Sequence, residues 1–330
     1  MTQSAQKTIL SGMRPTGPLH LGNFVGALRN WIRLQDSYAC YFCIVNWHAL
    51  SSEYHDSRSI KGYEFEVAVD WLSSGLDPDR CVMFRQSEVK EHAELHLILS
   101  MITPLPWVER VPTFKEQLVQ LAEKDLNTYG FLGYPVLQAA DIAIYRADAV
   151  PVGEDQAAHI ELTREIIRRF NRYYGDVFPV PQTLLTEVPR LAGTDGRKMS
   201  KSYGNAIYLK DTAEVIRGKI LPMVTDTRRK RRSDPGEPND CPVFTLHKAF
   251  VPKDKQEEIA VGCRTAGIGC RDCKAVLLEH LIRALEPIWE KRARFEKDPA
   301  LIWDILEAGN VKARARAQET MAQIRAALGF

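Results

Sequence analysis

Through its first third the chain switches repeatedly between two hydrophobic periods. Lys7 to Ser11 is a short strand-like apolar run, closed by Gly12 and a Pro/Gly-rich loop reaching Gly17. After Gly22, the residues Phe24, Val25, Leu28, Trp31, Ile32 and Leu34 follow helical spacing. Ala39 to Val45 reads as the next strand, Ile60 to Leu72 as a helix, Cys81 to Phe84 as a strand and Glu91 to Ile102 as a helix. Strands alternating with helices close up as a parallel sheet wrapped by those helices. The fold class expected is therefore α/β: a Rossmann-like doubly wound parallel sheet, followed by a mostly helical C-terminal domain. Such sheets hold ligands beyond the carboxyl ends of their strands, where the first loop lies.

Downstream, Phe114 to Tyr145 reads as mostly helical, interrupted from Gly130 to Pro135. Val150 to Gly153 reads as a buried strand ending in a turn, and Glu154 to Asn171 as a long amphipathic helix with Glu154 and Asp155 suitably placed against its dipole. A helix near Ala213 to Met223 precedes a polar stretch, Thr225 to Asp240, that reads as a flexible loop carrying the basic run Arg228 to Arg232. Helical periodicity then fills Ala275 to Phe330. The boundaries expected are an α/β domain at 1–205, with a helical insertion at about 90–135, and a helical domain at 206–330 with a cysteine cluster at 241–273.

With 330 residues, 45% apolar and 26% charged, the chain has ample length for a core and no disordered or fibrous character. Met1 to Lys7 is polar and no long apolar segment follows, so a cytoplasmic protein with no membrane span is expected. A net charge of +2 is too small for the molecule as a whole to attract nucleic acid, so any such binding rests on local patches. The basic run Arg228 to Arg232 and a second group, Lys312, Arg314 and Arg316, are the candidates, each equally readable as a solvated face.

Cys40, Cys43 and Cys81 lie in apolar runs and read as packed thiols. Cys241, Cys263, Cys270 and Cys273 are different: their C-x21-C-x6-C-x2-C spacing among glycines, prolines and charges is a ligand set for Zn²⁺ or a [4Fe-4S] cluster. Spacing alone does not choose the metal.

Two loops carry phosphate chemistry. In Gly196 to Asn205, Lys198 and Lys201 flank Met199-Ser200, with Ser202 beside them, so two ammonium groups and hydroxyls can reach one polyphosphate. In Gly12 to Asn23, His20 and Asn23 are three residues apart at a helix start, on one side of the first turn and beside backbone N–H groups suited to phosphate. Gly22 between them leaves room for a ring or phosphate. Alone, the first loop reads as solvated surface and the second as a capped turn; together they are far more specific.

The pair resembles class I aminoacyl-tRNA synthetases: His20-Leu21-Gly22-Asn23 is similar to their HIGH signature and Lys198-Met199-Ser200-Lys201-Ser202 is a copy of KMSKS. Pro15-Thr16-Gly17, Ala139-Ala140-Asp141-Ile142, and Val150 to Gln156 leading into His159 to Arg164 resemble the tryptophanyl-tRNA synthetases, densely over residues 8 to 210. The resemblance implies activation of tryptophan by ATP, transfer to tRNA(Trp) and a homodimer with its interface around residues 90 to 130.

It also implies roles. His20, Asn23, Lys198 and Lys201 would act on the phosphates, with Lys115 a further candidate. Arg14, Pro15, Thr16, Gly22, Gly153, Glu154 and Asp155 would hold ATP together with Met199, Ser200 and Ser202; Arg14 stands where the family often has glutamine. Mg²⁺ comes with ATP chemistry and needs no carboxylate cage when phosphates and water hold it. Asp141 would accept from the indole N–H, Tyr134 and Gln156 would contact the α-amino group, and His48 would line the pocket. Gln138, a methionine in many tryptophan enzymes, keeps the tyrosyl relatives open as an alternative, since a phenol also donates to Asp141. An idle RNA-binding paralogue would keep the fold and lose signature residues, which are present here. For the four cysteines the resemblance favours [4Fe-4S] over Zn²⁺, although the first gap is one residue shorter than in the similar bacterial pattern.

Overall fold

The structure is a computed structural model describing residues 6–111, 125–153, 156–185 and 190–330. Lys115, Glu154 and Asp155, expected at the phosphates and the ribose, lie outside the described residues. Contacts divide the chain into two compact units, Met1–Thr16 with Trp31–Thr186 and Asp298–Phe330, and Gly17–Asn30 with Glu187–Lys297.

The first unit is built on β1 (Thr8–Met13), β2 (Ala39–Ile44), β3 (Cys81–Arg85), β4 (Ala149–Val152) and β5 (Gln182–Leu185). Among the described residues these make one all-parallel sheet in the order β3-β2-β1-β4-β5. The order reverses between β1 and β4, so the ligand crevice of such a sheet opens beyond Met13 and Val152. Gly12 is required at the end of β1, because an added Cβ would stand 2.9 Å from Val45 Cγ1 and 3.0 Å from the Cys43 carbonyl.

Between strands run the helical elements expected, with two additions. The helix after Gly22 is α1 (Leu21–Asn23), a π turn (Phe24–Leu28) and α2 (Arg29–Leu34) in succession. An unforeseen helix, α3 (Asn46–Glu53), precedes α4 (Arg58–Ser74). Its mean hydropathy is low and it buries Asn46, His48 and Ser52 as well as Ala49, so no apolar stripe marks it. α5 (Glu91–Ile102) and α6 (Leu105–Glu109) follow.

The expected break at Gly130 to Pro135 is absent: α7 (Tyr129–Ile144) runs through both glycines and the proline. Thr128 starts it by accepting from the Phe131 N–H at 3.2 Å. The hydrogen bond lost at Pro135 is outweighed by packing, since α7 is sandwiched against α5 and α8 (Ala157–Tyr174) and buries nine residues. Trp31 stacks on Phe42 at 4.7 Å and meets Trp71 edge-on at 5.4 Å, three buried rings each contributing about 2–3 kcal/mol of burial. Cys40, Cys43 and Cys81 are buried thiols in this core.

In the second unit lie α9 (Ala213–Ile220), α10 (Pro242–Phe250), α11 (Lys253–Arg264) and α12 (Cys270–Phe295). The last helix, α13 (Pro299–Leu328), belongs to the first unit and lies against the outer strand β3. Gly309 allows this: an added Cβ would stand 1.8 Å from the Met83 carbonyl oxygen. Asn310 Oδ1 then accepts from the Arg85 N–H at 2.9 Å and Arg314 Nη2 donates to the Glu88 carbonyl at 2.7 Å. The edge of the sheet is thereby capped.

The stretch Thr225 to Asp240, expected as a flexible loop, is organised by Asp226, whose carboxylate accepts from Arg228 and from the Glu237 N–H. Short-range ion pairs among its own charges produce a folded turn without any apolar pattern. No described helix is long and apolar enough to cross a membrane.

Candidate active site

The two signature loops meet within the second unit. Chain leaving the lysine loop pairs antiparallel with the segment around His20: the Leu21 N–H donates to Ile207 O and the Leu209 N–H to Leu19 O, both at 2.9 Å. Two signatures far apart in sequence are thus tied to one strand-like connection.

His20 is the N-cap of α1. The Asn23 N–H donates to His20 Nδ1 at 3.2 Å while the His20 N–H donates to Asn23 Oδ1 at 3.1 Å, a reciprocal capping box. With Nδ1 accepting, the proton of the neutral ring sits on Nε2. Burial, then the charges of Lys201 and Lys198, lower the imidazole to about 4, so it works at neutral pH as an uncharged donor. The room above Gly22 is taken by the His20 ring itself, which an added Cβ would meet at 2.9 Å.

The lysine loop is folded around Asn205, which is 2% exposed. Its amide oxygen accepts from the Ser200 N–H at 2.8 Å, and its Nδ2 donates to Asp195 Oδ1 at 2.7 Å and to the Lys198 carbonyl at 3.2 Å. Gly193 makes room for it, since a Cβ there would stand 2.3 Å from Asn205 Cγ. Met199 is buried and anchors the loop, whereas Lys198 and Ser202 are exposed on it. Ser200 and Ser202 hydroxyls share a hydrogen bond at 2.9 Å. Lys201 Nζ donates to the Gly17 carbonyl at 2.7 Å.

In the first unit, Arg14 and Thr16 follow β1, with Pro15 buried between them and the Thr16 N–H donating to Arg14 O at 3.0 Å. Gly153 follows β4 at the other side of the switch point. Its carbonyl accepts from the Gln156 N–H at 3.0 Å, which leads the chain into α8.

Asp141, Gln138 and Tyr134 lie on successive turns of α7, all in the first unit. Asp141 is 3% exposed. It accepts from His48 Nε2 at 2.9 Å, from His92 Nδ1 at 2.6 Å and from Gln86 Nε2 at 2.8 and 2.9 Å. Burial alone would raise its carboxyl, but the hydrogen bonds from His48 and His92, with their electrostatic attraction, outweigh it and hold the group well below the usual carboxylate range. The Tyr134 hydroxyl, expected at an α-amino group, shares a hydrogen bond with His159 Nε2 at 2.8 Å, and burial pushes it up to about 12. A cleft of about 390 Å³ opens beside Tyr134, lined also by Trp47, Leu50, Tyr54 and His96.

Gln86, His92, His159 and Asn205 were not foreseen as site residues. For Gln86 a signal existed, because it directly follows the carboxyl end of β3. The others depend on which helices meet.

Cys241, Cys263, Cys270 and Cys273 line one small cavity with Arg229 and Lys274. Burial first, then the neighbouring thiols, push Cys273 up to about 12, while burial raises Cys263 against the opposing charge and hydrogen bond of Arg229. Cys273 Sγ also meets His247 Nε2 at 3.1 Å and Cys263 Sγ accepts from Arg229 at 3.8 Å. Four thiols around one cavity are the donor chemistry that a soft metal needs. As these side chains stand, no three His, Cys, Asp or Glu residues among the described ones are grouped closely enough to hold a metal ion.

The basic patches are partly consumed by the fold. Arg228 pairs with Asp226 and Asp240, Arg229 donates to the carbonyls of Arg232 and Ile268, Arg314 holds Glu88, and Arg316 pairs with Glu319.

Residues 2–286 match the family model of class I tRNA synthetases for tryptophan and tyrosine. A protein of Thermotoga maritima named tryptophan–tRNA ligase is 52% identical over 324 residues, covering 98% of this chain and 99% of that one. One of Ralstonia nicotianae with the same name is 42% identical, covering 98% of each. The crystal structure of tryptophanyl-tRNA synthetase from Campylobacter jejuni, complexed with ADP and tryptophan, superposes with a TM-score of 0.87 at 34% identity, covering 98% of this chain and 100% of that one. With both signatures in its sequence, a Rossmann-like parallel sheet in its first unit, and a match to these relatives along nearly its whole length, the chain belongs to the class I aminoacyl-tRNA synthetases, in their tryptophan–tRNA ligase family.

Proposed function

We propose that the chain joins tryptophan to tRNA(Trp) in two steps. The tryptophan carboxylate attacks the α-phosphorus of ATP, the bond to the bridging oxygen of the leaving pyrophosphate breaks, and tryptophanyl-adenylate forms. A ribose hydroxyl at the tRNA end then attacks the acyl carbon and AMP leaves. The first nucleophile is already an anion, so no base is needed; orientation and neutralisation of the leaving pyrophosphate carry the rate. His20, as an uncharged Nε2–H donor, and Asn23 are assigned to the ATP phosphates, and Lys198 and Lys201 to the pyrophosphate. Arg14, Pro15, Thr16, Gly22, Gly153, Glu154 and Asp155 are assigned to ATP, with Met199, Ser200 and Ser202 from the lysine loop. Lys115 is kept as a further phosphate candidate. Asp141 is assigned to the indole N–H, with His48, Gln138, Tyr134 and Gln156 around the amino acid.

The observation that supports this reading best is the antiparallel pairing of the His20 segment with the chain leaving the lysine loop, which brings the two signatures together. Tryptophan-dependent exchange of labelled pyrophosphate into ATP tests it. Exchange with tyrosine instead would assign the tyrosyl branch, and exchange with neither would leave an idle RNA-binding paralogue.

Mg²⁺ accompanies ATP, held by phosphates and water. We assign the four cysteines to a [4Fe-4S] cluster, with Zn²⁺ as the alternative, on the strength of their common cavity; when bound it supplies a cross-link between α10, α11 and α12. Iron, sulfide and zinc analysis after anaerobic purification decides between them. Anticodon recognition is assigned to the helical region 206–330. A cytoplasmic homodimer is proposed: Leu97, Met101, Leu105 and Tyr129 are 57, 75, 56 and 74% exposed within the stretch expected to form the interface, and such apolar surface favours a partner. Light scattering reports the mass.

A further inference from the structure

The Asp141 carboxylate has about four lone-pair sites. All are engaged, Oδ1 by His92 and Gln86 and Oδ2 by His48 and Gln86. A substrate N–H therefore finds no vacant acceptor and must take over one of these bonds.

The three donors are not equivalent. His92 is 0% exposed and bonded at both ring nitrogens, Nδ1 donating to Asp141 and Nε2 accepting from the Tyr145 hydroxyl at 2.7 Å. Burial raises the Tyr145 phenol well above its usual value, so it stays a donor and fixes the tautomer that points N–H at Asp141. Gln86 is also 0% exposed, and its Oε1 accepts from the Trp47 N–H at 3.1 Å, which fixes its amide with the NH₂ toward Asp141. His48 is 8% exposed and sits on α3 with no such second clamp among the hydrogen bonds described.

We infer that Gln86 and His92 are positioning residues that keep Asp141 an ionised, fixed acceptor selecting ring N–H donors, and that His48 holds the substrate's place until the indole N–H displaces it. This rests on the reading of Asp141 as the indole acceptor. The titratable groups facing Asp141 are His48 from α3, His92 and His96 from α5, Cys43 from β2, and, beyond His92, Tyr145 at the C-cap of α7. Of these, His92 and His48 are the two that bond the carboxylate among the described residues, Gln86 being its uncharged third donor. Hydrogen bonds donated to the charged form oppose the burial that raises the Asp141 carboxyl, so losing the Gln86 or His92 donor moves it upward, and a protonated carboxyl offers an O–H to a ring that needs an acceptor.

The test is calorimetric binding of tryptophan and of 3-benzothienylalanine, which keeps the ring shape but lacks the N–H, to the full chain from about pH 5.5 to 8.5. Wild type should prefer tryptophan by about 100-fold, and Asp141→Ala should abolish that preference; if the preference survives, the underlying reading of Asp141 fails. With that reading intact, Gln86→Met and His92→Phe should bind tryptophan about tenfold more weakly at the acid end than at the alkaline end, relative to wild type. His92→Asn, which keeps a donor near Nδ1, should restore the wild-type profile. Profiles for Gln86→Met and His92→Phe that track wild type overturn the positioning role, and Gln86→Met carries that test alone if His92→Phe does not fold. In ¹⁵N-histidine spectra, the signal lost in His48→Gln should move on adding tryptophan and stay still with 3-benzothienylalanine; a signal that tryptophan leaves unmoved overturns the displacement.

Discussion

His20 and Asn23 hold each other by two reciprocal hydrogen bonds, Asn23 N–H to His20 Nδ1 and His20 N–H to Asn23 Oδ1. The residue proposed to touch ATP is thus also the cap that starts its helix, and the two roles can be separated. Asparagine is a strong N-cap, so His20→Asn should keep urea stability at neutral pH within about 1 kcal/mol of wild type. Pyrophosphate exchange should drop by about 100-fold, because the Nε2–H donor is gone. A parallel loss of both would mean that capping is its whole contribution.

The same imidazole predicts an acid sensitivity. It is lowered to about 4 in the folded chain, against an ordinary 6.5. Between those values the unfolded state binds the extra proton, so stability falls as pH drops through that window, by about 3 kcal/mol in all. Urea midpoints measured from pH 7 down to 4.5 should decline less steeply in His20→Asn than in wild type.

Lys198 and Lys201 are assigned to charge that develops on the leaving pyrophosphate. Alanine at either position should lower pyrophosphate exchange by about 10²- to 10³-fold while changing the tryptophan dissociation constant less than about threefold. Equal losses in both measurements would remove the assignment.

Asn205 organises the lysine loop from inside, and Gly193 leaves it room. Asn205→Leu strands the Ser200 N–H and the Lys198 carbonyl and should cost about 1–3 kcal/mol. Since the loop then loses its fixed shape, KM for ATP should rise more than KM for tryptophan. Gly193→Ala should repeat that pattern through collision with the Asn205 side chain.

Gly309 lets α13 touch the backbone of β3. Gly309→Ala sets a methyl group against the Met83 carbonyl and should destabilise the chain by about 3 kcal/mol or more, read as a lower melting temperature. The 85–88 turn hangs from the same helix through Asn310 and Arg314, so tryptophan affinity should fall as well.

The alternation of apolar periods was enough to foresee four of the five strands and the parallel sheet, because strand and helix periods are properties of local sequence. The signatures at His20 and Lys198 were legible for the same reason: each is a short contiguous run, recognisable from residue types and spacing alone. β5 and α3 were not, since one is short and half exposed and the other is polar on its buried side. The continuous α7 through Pro135 was missed because packing on two faces overrode a local signal that correctly predicts a break in isolation.

What the sequence determined by itself is the class of fold, the family, and the two signatures to which the substrate roles are assigned. Only the tertiary structure decided that the chain leaving the lysine loop returns to pair with His20, that α13 comes back to close the sheet at Met83, and that Asp141 is ringed by Gln86, His48 and His92. Each of these joins residues dozens to hundreds of positions apart. Periodicity and propensity describe neighbours along the chain, whereas such pairings are set by burial, by the need to satisfy every enclosed polar group, and by the close approach that a single glycine permits.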